Sequence, residues 1–70
     1  MRVGMDLTAR QRLILSILEE TAGGVALRDI LPRVKNGATT RQIRDDLQVL
    51  RTLALADPVG WGRGARWRRR

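Results

Sequence analysis

Two tetrapeptides of one pattern, Thr8-Ala-Arg-Gln11 and Thr39-Thr-Arg-Gln42, fix where two helices of this chain begin. In such a capping box the Thr hydroxyl accepts the Gln amide hydrogen and the Gln side chain accepts that of the Thr. Two amides that a helix start leaves bare are thereby satisfied reciprocally. Behind the first box Leu13, Ile14, Ile17 and Leu18 form one apolar stripe, and Gly23-Gly24 supplies the turn that ends it, so the pattern predicts a helix over about 8–21. Behind the second, Ile43, Leu47, Leu50 and Ala54 recur at i, i+4, i+7 and i+11 with Val49 and Leu53 flanking, a helix over about 40–53. The likeness of the boxes is two helix starts solving one problem, not an internal repeat.

Between them, Val25-Ala26 reads as a short extended link, and Leu27, Ile30, Leu31 and Val34 repeat at helical spacing over about 27–34. Pro32 falls inside that repeat, removes an amide hydrogen bond and crowds the preceding turn, so this helix kinks or ends early. Lys35-Asn-Gly-Ala38 is a turn. After the third helix, Leu55-Ala-Asp-Pro-Val59 and Ala65-Arg-Trp-Arg-Arg69 flank a glycine-rich loop and predict a two-stranded β-hairpin over about 55–69. Alternation puts Ala65, Trp67 and Arg69 on one face of the last strand and Arg66, Arg68 and Arg70 on the other. The expected core is aliphatic: Leu13, Ile14, Ile17, Leu18, Val25, Leu27, Ile30, Leu31, Ile43, Leu47, Leu50, Leu53 and Leu55, with Trp67 covering it. Leu15 points away from the first stripe, toward a dimer contact if there is one.

Seventy residues with 43% hydrophobic content bound this sequence to one small domain, expected at 8–70 behind an N-terminal arm at 1–7. The absence of His and Cys removes the usual zinc, haem and iron–sulfur ligands and excludes a disulfide framework. The seven carboxylates show no clustered pair and no metal-ligand spacing, so neither an enzyme nor a cofactor is expected. Met1-Arg-Val-Gly-Met-Asp6 lacks the apolar stretch of a signal peptide; the expected location is cytoplasmic, at the nucleoid, with no membrane.

Net charge is +7, and the last fourteen residues hold Arg63, Arg66, Arg68, Arg69 and Arg70 against Asp57 alone. Thirteen of the 14 cations are Arg, the side chain whose planar fork suits phosphate and guanine. One reading of that run is a solvated basic tail; Trp67 inside it argues for structure. On the helix at 40–53, the face opposite the apolar stripe carries Arg41, Asp45, Gln48 and Thr52, with Arg44 at its shoulder. That face is also what an ordinary solvated surface would present, with Arg41 and Asp45 paired one turn apart.

Helix, link, helix, turn, helix and hairpin is the order of a winged helix-turn-helix, an α+β fold. Thr39-x-x-Gln-Ile-Arg-Asp-Asp-Leu47-x-x-Leu50 resembles the recognition-helix signature of bacterial winged-helix repressors of the deoxyribose-operon type. Gly60-Trp-Gly-Arg-Gly-Ala-Arg-Trp67 is similar to the Gly-x-Gly-Arg-Gly wing of small winged-helix tail domains in some bacterial helicases and adenylyltransferases. The likeness covers about 8–69. Two departures stand out: Asp45 replaces the second Arg of the repressor pattern, and Ala54 stands where Gly is usual between helix and strand.

The resemblance implies double-stranded DNA binding by a small prokaryotic, plasmid or phage transcriptional regulator. The helix at 40–53 would enter the major groove, where Arg41 and Arg44 each suit guanine, Gln48 suits adenine, and Asp45 accepts from cytosine or holds Arg41. Thr39 and Thr40, at the helix start, suit a phosphate. Arg63 would reach a minor groove at the wing tip, and Arg66, Arg68 and Arg69 would contact phosphates. Trp61 is open between core, DNA and protein contact. Beyond DNA, the expected partners are a second copy of the chain or another protein, with no small-molecule effector. Two alternatives stand beside this: a winged-helix module docking on an enzyme or polymerase, favoured by Asp45 and Trp61, and non-specific or RNA binding through the Arg-rich C-terminus.

Overall fold

The computed structural model describes residues 7–34, 37–60 and 65–70. Residues 1–6 of the N-terminal arm expected at 1–7, Lys35 and Asn36 of the turn, and Trp61 and Arg63 of the wing lie outside the described residues.

Both capping boxes form. Thr8 Oγ1 accepts from the Gln11 amide at 3.1 Å and Gln11 Oε1 from the Thr8 amide at 3.0 Å, opening α1 (Ala9–Glu19). Thr39 Oγ1 and Gln42 Oε1 do the same at 3.1 and 2.9 Å, opening α3 (Thr40–Thr52). Between them, β1 (Val25–Ala26) leads into a single-turn α2 (Leu27–Ile30). Pro32 ends α2 by tightening the chain into a 3-10 turn at Leu31–Arg33, where its missing amide is tolerated. The chain closes with β2 (Ala56–Val59) and β3 (Arg66–Arg69).

The expected two-stranded hairpin is corrected to a three-stranded antiparallel sheet of order β1-β3-β2. The Val25-Ala26 link pairs with Trp67 and Arg66 on the free side of β3, so the strand with the basic run is central. Pro58, which cannot serve a central strand, sits on the edge strand β2 opposite Trp67. Gly24 permits this approach. Its φ is +100°, and a Cβ there would lie 3.1 Å from Arg66 Cβ and 3.3 Å from the Trp67 carbonyl oxygen.

The architecture is α+β, three helices and an antiparallel sheet among the described residues, compatible with a winged-helix layout. Ile14, Ile17, Leu18, Ile30, Val34, Ile43, Leu47, Leu50 and Ala56 form the core, with Leu7, Leu15, Val25, Leu27, Leu31, Leu55 and Trp67 packed against it. Leu7 therefore joins the packed body and does not belong to an arm. Two expected core residues stay out, Leu13 at 40% exposure and Leu53 at 37%. For Leu13 the cause is Gln11, which is buried. Counting position 11 as interior centres the stripe on Gln11, Ile14 and Leu18, brings Leu15 to its edge and rotates Leu13 outward.

The end of α3 is a Schellman turn. The Leu55 amide donates to the Leu50 carbonyl at 2.8 Å and the Ala54 amide to that of Arg51 at 2.9 Å. It forces Ala54 to φ 62°, the left-handed region that glycine usually occupies. No helix among the described residues is long and apolar enough to cross a membrane.

Candidate functional site

Arg41, Arg44, Asp45 and Gln48 are all exposed on α3, on the side away from Ile43, Leu47 and Leu50. Thr40 is exposed at its first turn. Thr39 caps the helix with its hydroxyl already accepting the Gln42 amide. The expected Arg41–Asp45 pair is absent; among the described residues neither side chain forms an ion pair.

Beside its apolar packing, α3 is held on α1 by a contact that the pattern of apolar residues concealed. Asp46 is buried and accepts from three groups on α1: Arg10 Nε, Arg10 Nη2 at 3.3 Å, and Gln11 Nε2 at 3.1 Å. Gln11 is thus used at both ends, its oxygen capping α1 and its nitrogen binding α3. The hydrogen bond that Arg10 donates to Asp46 raises the pKa of the Arg10 guanidinium, which stays charged. The signal available in sequence was position: Asp46 lies three residues after Ile43 and four before Leu50, inside the apolar face, as Gln11 lies three before Ile14. Two polar residues inside facing apolar stripes need each other as partners.

The arginines divide into two sets. Arg33 meets Glu20 through two bonds, at 2.7 and 2.8 Å, which holds the Glu20 carboxyl below its usual range. Arg70 meets Asp57 at 3.3 Å. Arg69, expected at a phosphate, is half-buried on the inner face of β3; it donates to Glu19 Oε2 at 3.0 Å and to the Leu55 carbonyl at 3.2 Å. Arg12 on α1, Arg28 on α2, Arg41, Arg44 and Arg51 on α3, and Arg66 and Arg68 on the outer face of β3 are exposed and form no ion pair among the described residues. Carboxylates thus pair with Arg10, Arg33, Arg69 and Arg70; besides Arg12 on α1 and Arg28 on α2, the arginines without an ion pair among the described residues lie on α3 and the outer face of β3.

Beside α3 lies an open groove of about 570 Å³. Thr40, Arg44 and Gln48, one turn apart in succession, line it from α3; Ala26, Leu27, Arg28 and Leu31 line it from β1, α2 and the turn that follows, and Ala65 and Trp67 line the β3 side. Trp67 is half-buried, packed on the core from above and facing the groove.

No known protein family, curated protein or solved structure matches the chain.

Proposed function

We propose that this chain binds double-stranded DNA as a small winged-helix regulator of prokaryotic, plasmid or phage transcription. The observation that carries the reading is the division of the arginines. Of the seven described arginines that form no ion pair among the described residues, five, Arg41, Arg44, Arg51, Arg66 and Arg68, lie on α3 and the outer face of β3, while Arg69 on the inner face of β3 is held by Glu19. In this reading α3 lies in the major groove, Arg41 and Arg44 address guanine and Gln48 adenine, each bidentate contact discriminating by about 1–3 kcal/mol. Asp45, free of Arg41, accepts from cytosine N4. Arg66 and Arg68 meet phosphates, and Arg63 is assigned by sequence alone to a minor groove. Arg69 leaves the contact set.

Selection from a random duplex pool across a salt series tests this. The expected result is an enriched motif with a log–log salt slope of several units. Arg44→Ala should relax preference at one base position, and Arg68→Ala should weaken all sequences alike and flatten the slope by about 1. An unchanged motif in Arg44→Ala refutes the role of α3; a steep slope with no motif leaves only non-specific binding, and no binding near physiological salt refutes the reading altogether.

A further inference from the structure

The groove beside α3 is poorly suited to duplex DNA. Its floor is Ala26, Leu27, Leu31, Ala65 and Trp67, all half-buried and apolar, and the polar edges and phosphates of a duplex cannot replace water there without loss. Its walls carry Arg28 and Arg44, and among the described residues neither forms an ion pair and no acidic side chain lines the groove. Its volume, about 570 Å³, has room for a few apolar side chains. All nine lining residues keep some exposure, so the groove is a trough, not the enclosed cavity that buries most of a small ligand. An apolar floor between two unpaired cations is complementary to a chain segment that offers apolar anchors flanked by carboxylates.

We propose that this groove docks a segment of an acidic protein partner, with Leu-, Phe- or Trp-type anchors on Leu27, Leu31 and Trp67 and carboxylates on Arg28 and Arg44. Thr40, Arg44 and Gln48 belong to both this groove and the exposed surface of α3. If α3 reads DNA, which is the reading proposed above, a docked segment and a duplex exclude each other, and the partner releases the protein from its site. The docking itself does not depend on DNA binding.

Selection of phage-displayed random 12-residue peptides on the full chain, at about 0.15 M salt, tests the docking. Enriched peptides should be net acidic with apolar anchors. Synthetic versions should bind at least tenfold more weakly to Ala65→Gln, which fills the trough without changing charge, and to Arg28→Glu, which reverses one wall. Both positions keep exposure, and circular dichroism of each variant checks that it is folded. No enrichment, enrichment of neutral or basic peptides, or affinity unmoved by both folded variants overturns the proposal. So does a random single-stranded oligonucleotide that occupies the groove in place of peptide, since Trp67 offers a surface on which a base can stack. The duplex pool, run in parallel, separates the two readings. Peptide binding without duplex binding supports the docking and refutes the DNA reading; duplex binding without peptide binding does the reverse. Simultaneous binding of both overturns the exclusion.

Discussion

Gln11→Glu, a change that a capping box normally accepts, should destabilise this chain, whereas the same change at Gln42 should not. The cap itself survives, because a carboxylate oxygen still accepts the Thr8 amide hydrogen. The other end of the side chain fails. Gln11 Nε2 donates to Asp46 Oδ1 at 3.1 Å, and the substitution places a carboxylate oxygen there. Loss of a hydrogen bond to a charged acceptor costs about 1.5–3 kcal/mol. Two unit charges at that separation repel by about 5 kcal/mol at an effective dielectric constant of 20, an upper bound because Arg10 offsets part of it and proton uptake relieves more. A net cost of about 3 kcal/mol at neutral pH corresponds to a Tm lower by about 12–24 °C for a domain of this size. The introduced carboxyl, facing Asp46, has its folded-state pKa raised above its unfolded value. Its protonated form donates to Asp46, so the deficit against the wild type is smallest below about pH 4.3 and grows as pH rises through the folded-state value. Gln42 is exposed and its box touches no buried carboxylate; there the helix N-terminus and the nearby Asp45 act in opposite senses, and a change within about 0.5 kcal/mol is expected. Thermal and urea unfolding of both variants between pH 4 and 7 gives the comparison. Equal effects at the two positions, or a Gln11→Glu deficit that does not shrink on acidification, refute the interior contact.

Ala54→Gly removes a side chain from φ 62° and should raise stability by about 0.5–1 kcal/mol, read from the urea midpoint; an unchanged or lower midpoint means the turn holds no strain. Gly24→Ala should lose about 2 kcal/mol or more, because φ +100° is strained for alanine and the new Cβ meets Arg66 and Trp67, while Gly23→Ala, with open space around it, should be near neutral. Comparable losses at both glycines would place β1 elsewhere than against β3. Arg69→Ala should leave the salt slope of DNA binding unchanged, in contrast to Arg68→Ala, since Arg69 is held by Glu19 and the Leu55 carbonyl. A slope that falls equally in both variants would return Arg69 to the contact set.

Much of the fold was legible because the signals were local. A capping box, a Pro within a helical repeat and a glycine pair each act within one turn of chain: α1 and α3 begin and end within two residues of the expected bounds, and Pro32 stops α2 at Ile30, short of 34. The third strand was not legible in the same way. Val25 and Ala26 carry no strand periodicity over two residues, and their pairing depends on β3 passing within reach of Gly24, a long-range fact. Arg69 shows the same limit at the site. Alternation placed it on the inner face with Trp67, but an Arg in a basic run reads as surface until Glu19, fifty residues earlier, is seen to receive it.

Asp45 and Asp46 make the physical reason plain. They are the same residue at adjacent positions, about 100° apart around one helix, and composition or charge counting treats them alike. Rotation by one position takes the first into solvent and the second, at 4% exposure, into the contact with Arg10 and Gln11. The outer carboxylate is exposed beside Arg41 and Arg44 and forms no ion pair among the described residues. The inner one fixes how α3 sits on α1, and so fixes which way Arg41, Arg44 and Asp45 face. A polar residue at an apolar position is therefore as informative about the site as the exposed residues are, because it sets the orientation from which they act. On this argument Asp46→Ala, which touches no ligand, should weaken recognition as well as stability. Gln11→Glu should do so too, since it perturbs the same contact from the other helix.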